Sequence, residues 1–246
     1  MNDQAMNDQT QPHAAARAAL GSSRDAERLP HAVMRFHRQV DAVIEQSVAA
    51  HGVVTACTRG CSYCCHVQVD MLPPESFALA AWLRRNLAPA RLDAIIERLR
   101  ENARRTRELG AEGRRKSNIA CALLGEDGAC SAYEARPAQC RRFHSTRLET
   151  CKSSYADPAD DSIHSPTHPL VSHNAQVIVT LAQHGLRDEG LDAEPQDMSL
   201  ALLEALENAK AWRRWRDGKK AFVAAARLMR TVFPALWATS MVLDCD

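Results

Sequence analysis

Four cysteines fall within nine residues, Cys57-Thr-Arg-Gly-Cys61-Ser-Tyr-Cys64-Cys65, and four more follow at Cys121, Cys130, Cys140 and Cys151. Thiolates are soft ligands that suit zinc, copper(I) and iron–sulfur clusters. Gaps of two or three residues let one loop turn several sulfurs toward one centre, because closing so short a loop costs little entropy. A tetrahedral zinc site needs four such ligands, and so does an iron–sulfur cubane. The eight cysteines are therefore the candidate metal ligands, enough for two mononuclear sites or one multinuclear centre. Cys245, second from the end, is expected to be a bystander thiol.

The vicinal pair Cys64-Cys65 bears on how many centres there are. Adjacent residues in an extended backbone point to opposite sides. On that geometry the two sulfurs serve different metals, or one binds while the other packs. Tyr63 is apolar cover beside them. Between Cys121 and Cys130 the run Gly125-Glu-Asp-Gly128 is a turn signal that folds the two cysteines toward each other. Arg141 and Arg142 follow Cys140, and guanidinium groups beside thiolates offset the net charge of about −2 that four thiolates leave on a divalent metal. His66 and His144 adjoin candidate ligands and are alternatives to a cysteine.

The elements that position these residues read as helices. From Pro30 to Ala50 apolar residues recur at steps of three and four, with Pro30 in the first turn and Gly52 past the end. His31 and His37 on this helix are expected at the surface or an interface, not as ligands. Val67, Val69 and Met71 alternate with polar residues and predict a short extended piece; Pro73-Pro74-Glu75 then opens a helix to about Asn86. Leu87 to Arg91 reads as a break, and Leu92 to Leu109 as a helix buried by one face. Residues 155 to 168 are rich in Asp, Ser, Pro and His and read as a loop. Helices are expected over Pro169–Gly185, Met198–Asn208 and Ala209–Met229, the last interrupted at Asp217-Gly218. Trp212 and Trp215 are expected to anchor that helix to a core while neighbouring arginines stay wet. The expected class is mainly α: a helical domain with an irregular, metal-stapled, cysteine-rich centre. It divides into a disordered tail (1–25), a cysteine-cluster domain with an N-terminal helix (26–152) and a helical C-terminal region packed on it (153–246).

With 246 residues, 46% of them hydrophobic, the chain is long enough to bury a core without cross-links. Dense cysteine is then no substitute for packing, and no leader of charged, apolar and small residues stands at the N-terminus. Both points favour free thiols in a reducing, cytoplasmic setting over disulfides. The net charge is +1, from 31 basic and 30 acidic residues, so no overall field recommends nucleic acid or an anionic membrane. Residues 91–116 hold nine basic and five acidic side chains, a local surplus that reads as a solvated face laced with ion pairs. No apolar run approaches the about 20 residues of a membrane-spanning helix. Acids and histidines such as Asp160, Asp161, His164 and His168 are scattered in a polar loop, and no catalytic residue is assigned.

The cysteine spacing, with Asp127-Gly128-x-Cys130-x2-Tyr133-Glu134-x-Arg136-Pro137-x2-Cys140-Arg141-x-Phe143, resembles the YkgJ family of cysteine-cluster proteins over about residues 53–152. Ala122 departs from the proline common in that family. The resemblance implies a zinc- or iron-chelating domain whose partner is a metal ion, with a protein partner open. A similar cluster occurs in the flagellin lysine methylase, where it accompanies an iron–sulfur cluster. An iron–sulfur enzyme of methyl transfer or redox chemistry is thus one alternative, and metal delivery or storage another. The triplet Cys57-x3-Cys61-x2-Cys64 also has the spacing of radical S-adenosylmethionine enzymes. The absence of alternating strand and helix units speaks against that superfamily.

Overall fold

The computed structural model describes Leu20, residues 24–163 and residues 167–223. Nearly all of the expected tail, His164, Cys245 and the last expected helix beyond Val223 lie outside the described residues. Within them the chain forms α1 (Leu29–Ala50), α2 (Pro73–Asn86), α3 (Pro89–Arg115), α4 (Ala138–Arg142), α5 (Leu148–Ala156), α6 (Pro169–Asp188), α7 (Met198–Glu207) and α8 (Ala209–Arg216). One antiparallel ladder joins β1 (Asp70–Met71) to β2 (Gln196–Asp197). The mainly helical class read from the sequence is the one found, with the cysteines gathered in the least regular part of the chain.

Helix α7 is apolar on nearly every side and lies at the middle, packed against α2 and α3. Helix α1 closes a second layer over α2 and α6, burying Ala32, Val33, Phe36 and Val40. Trp212 and Trp215 anchor α8 as the sequence predicts: Trp215 is fully buried, with its Nε1–H donated to the Asp192 carbonyl at 2.9 Å, and both rings meet Phe77. One neighbouring arginine is not wet. Arg214 reaches Glu204 at 2.7 Å and the Ala221 carbonyl at 2.6 Å.

The segment predicted as a break before Leu92 instead opens α3. Pro89 stands in its first turn, where a missing N–H costs nothing. The helix also continues past Leu109, across a kink at Gly110, whose φ of 66° suits glycine alone. On its outer face Arg100 pairs with Glu97 and Glu207, and Arg104 with Glu101 and Glu108. These exposed pairs contribute about 0–1 kcal/mol each and account for much of the local charge.

Arg114, on the last turn of α3, is the exception. It is buried, stands 3.5 Å from Asp197, and donates to the carbonyls of Ser117 and Val67. Asp197 is paired across the ladder with Asp70, so two carboxyl groups share one guanidinium. Burial raises the pKa of both acids, and Arg114 only partly offsets it. Between the unfolded value of 3.8 and the raised folded value the fold binds more protons than the unfolded chain, so stability falls as pH rises through that window. Asp70→Asn removes one buried charge while leaving the Arg114–Asp197 pair. It is expected to hold or raise stability at pH 7 by up to about 1 kcal/mol and to flatten the pH dependence, as read by urea unfolding at pH 5 and 7. Asp197→Ala is expected to lose about 2 kcal/mol or more, because Arg114 loses its nearest carboxylate and α7 loses the cap that Asp197 supplies to Ser199 N–H at 2.9 Å.

Candidate metal centre

The first cysteine group rides on two consecutive turns. Ala56 N–H donates to the Ser145 carbonyl at 2.7 Å, which fixes where the loop begins. Cys61 N–H then closes onto the Thr58 carbonyl, a turn made possible by Gly60 at φ 84°. Tyr63–His66 follows as a single 3₁₀ turn, not the extended backbone assumed from the sequence. Successive residues in such a turn are rotated by about 120° rather than 180°. The thiols of Cys64 and Cys65 are therefore not thrown to opposite sides as in an extended strand, and Cys65 is close enough to raise the pKa of Cys64.

The second group is laced onto the first by main-chain bonds. As the chain leaves α3, Ile119 N–H donates to the His66 carbonyl at 3.1 Å and Cys121 N–H to the Cys65 carbonyl at 2.7 Å. Two side chains of α3 hold this strip from behind: Asn102 Nδ2 donates to the Ala120 carbonyl at 2.8 Å and Arg98 Nε to the Ala122 carbonyl at 3.0 Å. The predicted turn is present. Gly125 N–H donates to the Ala129 carbonyl, and a bridge between Leu124 and Cys130 draws Cys121 and Cys130 together. Gly128, at φ 74°, packs so tightly on the first loop that an added Cβ would come within 3.0 Å of the Gly60 carbonyl oxygen. Two glycines thus make the close contact between the halves.

Cys140 is presented by α4 and Cys151 by α5, which packs on the Tyr63–His66 turn. Tyr155 of α5 sets its ring against Tyr63 (5.6 Å) and His66 (4.8 Å), extending the aromatic cover that Tyr63 suggested. His144 makes a hydrogen bond through each ring nitrogen, Nδ1 to the Arg142 carbonyl and Nε2 from the His168 N–H. His66 uses Nδ1 on the Ser62 carbonyl. Both alternatives to a cysteine ligand are thereby tied to the main chain.

None of the eight thiols is in a disulfide, and they fall into two electrostatic neighbourhoods that meet at Cys64. Cys140 is the deepest; burial pushes its pKa well up, and Cys121, Cys130 and Cys64 raise it further. Burial lifts Cys121 to about 12, against the Leu123 N–H that points at its sulfur from 3.4 Å. Cys130 is raised by burial too, opposed by the Ala132 N–H and by Arg136. Cys57 belongs to the outer neighbourhood. Burial raises it, and the charges it feels are those of Cys61, Cys64 and Cys151. Main-chain N–H groups thus aim at Cys57, Cys121 and Cys130, an arrangement that favours the thiolate.

The arginine that faces the sulfurs is Arg136, not the pair after Cys140. Its charge acts on Cys64, Cys130 and Cys140 together. Its guanidinium lies 3.9 Å over the Tyr133 ring, while its Nε is buried with no hydrogen-bond partner. Arg141 is occupied elsewhere, by Asp41 at 2.5 Å and the carbonyls of Arg136 and Glu134. Spacing alone does not single out Arg136, because it is four residues from the nearest cysteine.

Among the described residues no three Cys, His, Asp or Glu side chains stand at the mutual spacing that holds an ion, so the sulfurs are neighbours and not a closed coordination shell. The donor set nevertheless fits a soft metal. Cys64, Cys121 and Cys130 are partly buried neighbours whose charges act on Cys140, N–H groups point at sulfur, and an orphaned Arg136 donor lacks the anionic acceptor that thiolates would provide.

These features define a cysteine-cluster domain of the metal-chelating class, built into a helical protein. Residues 56–161 match the family model CxxCxxCC, described as "Putative zinc- or iron-chelating domain". The family resemblance read from the cysteine and Tyr-Glu-x-Arg-Pro motifs is borne out. Neither curated proteins nor solved structures gave a match to the chain.

Proposed function

We propose that residues 56–161 hold zinc or iron through two thiolate sets. Cys64, Cys121, Cys130 and Cys140 form the inner centre, with Arg136 offsetting the charge of about −2 that four thiolates leave on a divalent metal. Cys57, Cys61, Cys65 and Cys151 form the outer set, on the exposed side. The observation that carries this reading is that the charge of one half-buried arginine, Arg136, acts on three inner thiols, while its buried Nε has no hydrogen-bond partner. The metal's main role is to organise a stretch that has few regular elements of its own, in a reducing compartment that keeps the thiols free.

Anaerobic purification with counts of metal and acid-labile sulfide, and an absorption spectrum, tests the assignment. Zinc without visible bands places the protein among structural zinc domains; iron with matching sulfide and a thiolate-to-iron charge-transfer band places it among iron–sulfur proteins. Under either outcome Cys130→Ser is expected to lose the inner metal and Cys57→Ser to spare it. Equal loss from both variants contradicts the division into two sets, and a protein without bound metal contradicts the function.

A further inference from the structure

A second chemically distinct place lies away from the sulfurs, in a cavity of about 240 Å3 between β1, α4 and α6. Polar side chains stand among apolar ones in its lining. From α6 come Gln176, Val179 and Gln183, spaced so that all three share one face of the helix, which packs on α4. From α4 comes Arg142, and from β1 comes Asp70. Glutamines turned inward at such spacing are not required by packing, since an apolar residue fills the same face at lower desolvation cost.

Arg142 is the decisive residue. It is half-buried, and among the described residues its guanidinium has no hydrogen-bond or ion-pair partner. The other sheltered arginines contrast with it: Arg114 stands beside Asp197, and Arg141 beside Asp41. Glu75 lines the same cavity but has its oxygens committed to His37, Leu72 and Ala138. Asp70 is held by Gln68 and Arg114. The glutamines each use one end of the amide: Gln176 Nε2 donates to Thr180 Oγ1 at 3.2 Å and Gln183 Nε2 to the Ala193 carbonyl at 3.3 Å. Their carbonyl oxygens remain as acceptors.

We propose that this cavity binds a small carboxylic acid carrying a hydroxyl or amine, with the carboxylate on Arg142 and the hydroxyl or amine donating to Gln176 and Gln183. A planar guanidinium takes a carboxylate through two parallel hydrogen bonds, and the amide oxygens demand a donor on the same molecule. The cavity is smaller than the about 300–1,000 Å3 that accepts drug-sized ligands, which limits the occupant to a few carbons. Arg142 shares α4 with Cys140, so the site is tested in the metal-loaded chain.

Calorimetric titration of the full chain, purified with its metal, tests this with L-malate, L-aspartate and inorganic phosphate, each up to about 10 mM. Malate or aspartate is expected to bind with a Kd below about 1 mM, and Arg142→Gln to weaken it at least about tenfold. Gln183→Leu is expected to weaken binding in the same direction, with circular dichroism and metal content unchanged. This second variant decides the matter if Arg142→Gln disturbs Cys140, two residues away. Binding of phosphate alone, absence of binding by all three, or full affinity in Gln183→Leu overturns the proposal.

Discussion

Withdrawal of the metal by a strong chelator is expected to unfold residues 56–72 and 117–151 while leaving the helical layers around α7 in place. The two parts are held by different forces. Helices α1, α2, α3, α6 and α7 share one continuous apolar core, rich in Leu, Val and Phe. Apart from Val69, Met71 and Leu72, where β1 leads into α2, the cysteine-bearing stretches contribute mainly small residues to it, Ala122, Ala132 and Ala138, together with Leu123. Between them run only a few main-chain bonds, such as Cys121 to Cys65 and Ala56 to Ser145. A structural tetrathiolate site supplies about 10 kcal/mol of folding free energy, more than such bonds supply at about 1 kcal/mol each. The buried thiols add a pH signature. Cys121 is raised to about 12 and Cys140 well above its ordinary value, so near neutral pH the metal must displace their protons. Loading is then accompanied by proton release and weakens as pH falls. Hydrogen exchange reads the result: the Cys121 and Ile119 amides should lose protection on chelation, while those of α7 keep it. Protection that survives chelation at Cys121 means that packing, not metal, organises the centre.

How far the sequence reveals this arrangement depends on the physical signal each part leaves. Helix α1 is legible to within a residue, because its apolar stripe, Pro30 and Gly52 all report the same element. The turn at Gly125–Gly128 is legible for a similar reason, since its backbone demands glycine. Helices α4 and α5 are not. With five and nine residues they are too short to show a period, and they are held by what they pack on. The orientation of Cys64 and Cys65 is hidden because it turns on whether one four-residue stretch is extended or coiled. Burial of single charges is hidden as well. Arg114 looks like one more arginine of a solvated helix, and Arg136 acts on sulfurs that only the tertiary fold brings to it. His37, which its helix position places at a surface or an interface, is instead buried inside the chain against Glu75, a carboxylate 38 residues away.

Glu75→Ala is expected to cost about 3–5 kcal/mol and to strip metal from the inner centre, although Glu75 touches no cysteine. It is 3% exposed, and three elements donate to it. Oε1 accepts His37 Nε2 of α1 at 2.8 Å and the Ala138 N–H at 2.7 Å, while Oε2 accepts the Leu72 N–H at 3.0 Å. The last bond is half of a capping box at the start of α2, the one role for Glu75 that its place after Pro73-Pro74 suggests. Alanine leaves all three donors buried and unpaired, each costing about 1–3 kcal/mol. Glutamine keeps the shape but turns an NH2 toward groups that also donate, so Glu75→Gln is expected to recover only part of the loss. The reach to the metal runs through Ala138, the first residue of α4, whose five residues carry Cys140 with little else to hold them. His37→Ala removes one donor rather than the shared acceptor. It is expected to destabilise by about 1–2 kcal/mol and to leave metal content intact. Measuring unfolding and metal content for Glu75→Ala, His37→Ala and the double variant separates the two effects: destabilisation without metal loss in Glu75→Ala would show that Cys140 is placed by the metal itself and not by the carboxylate behind α4.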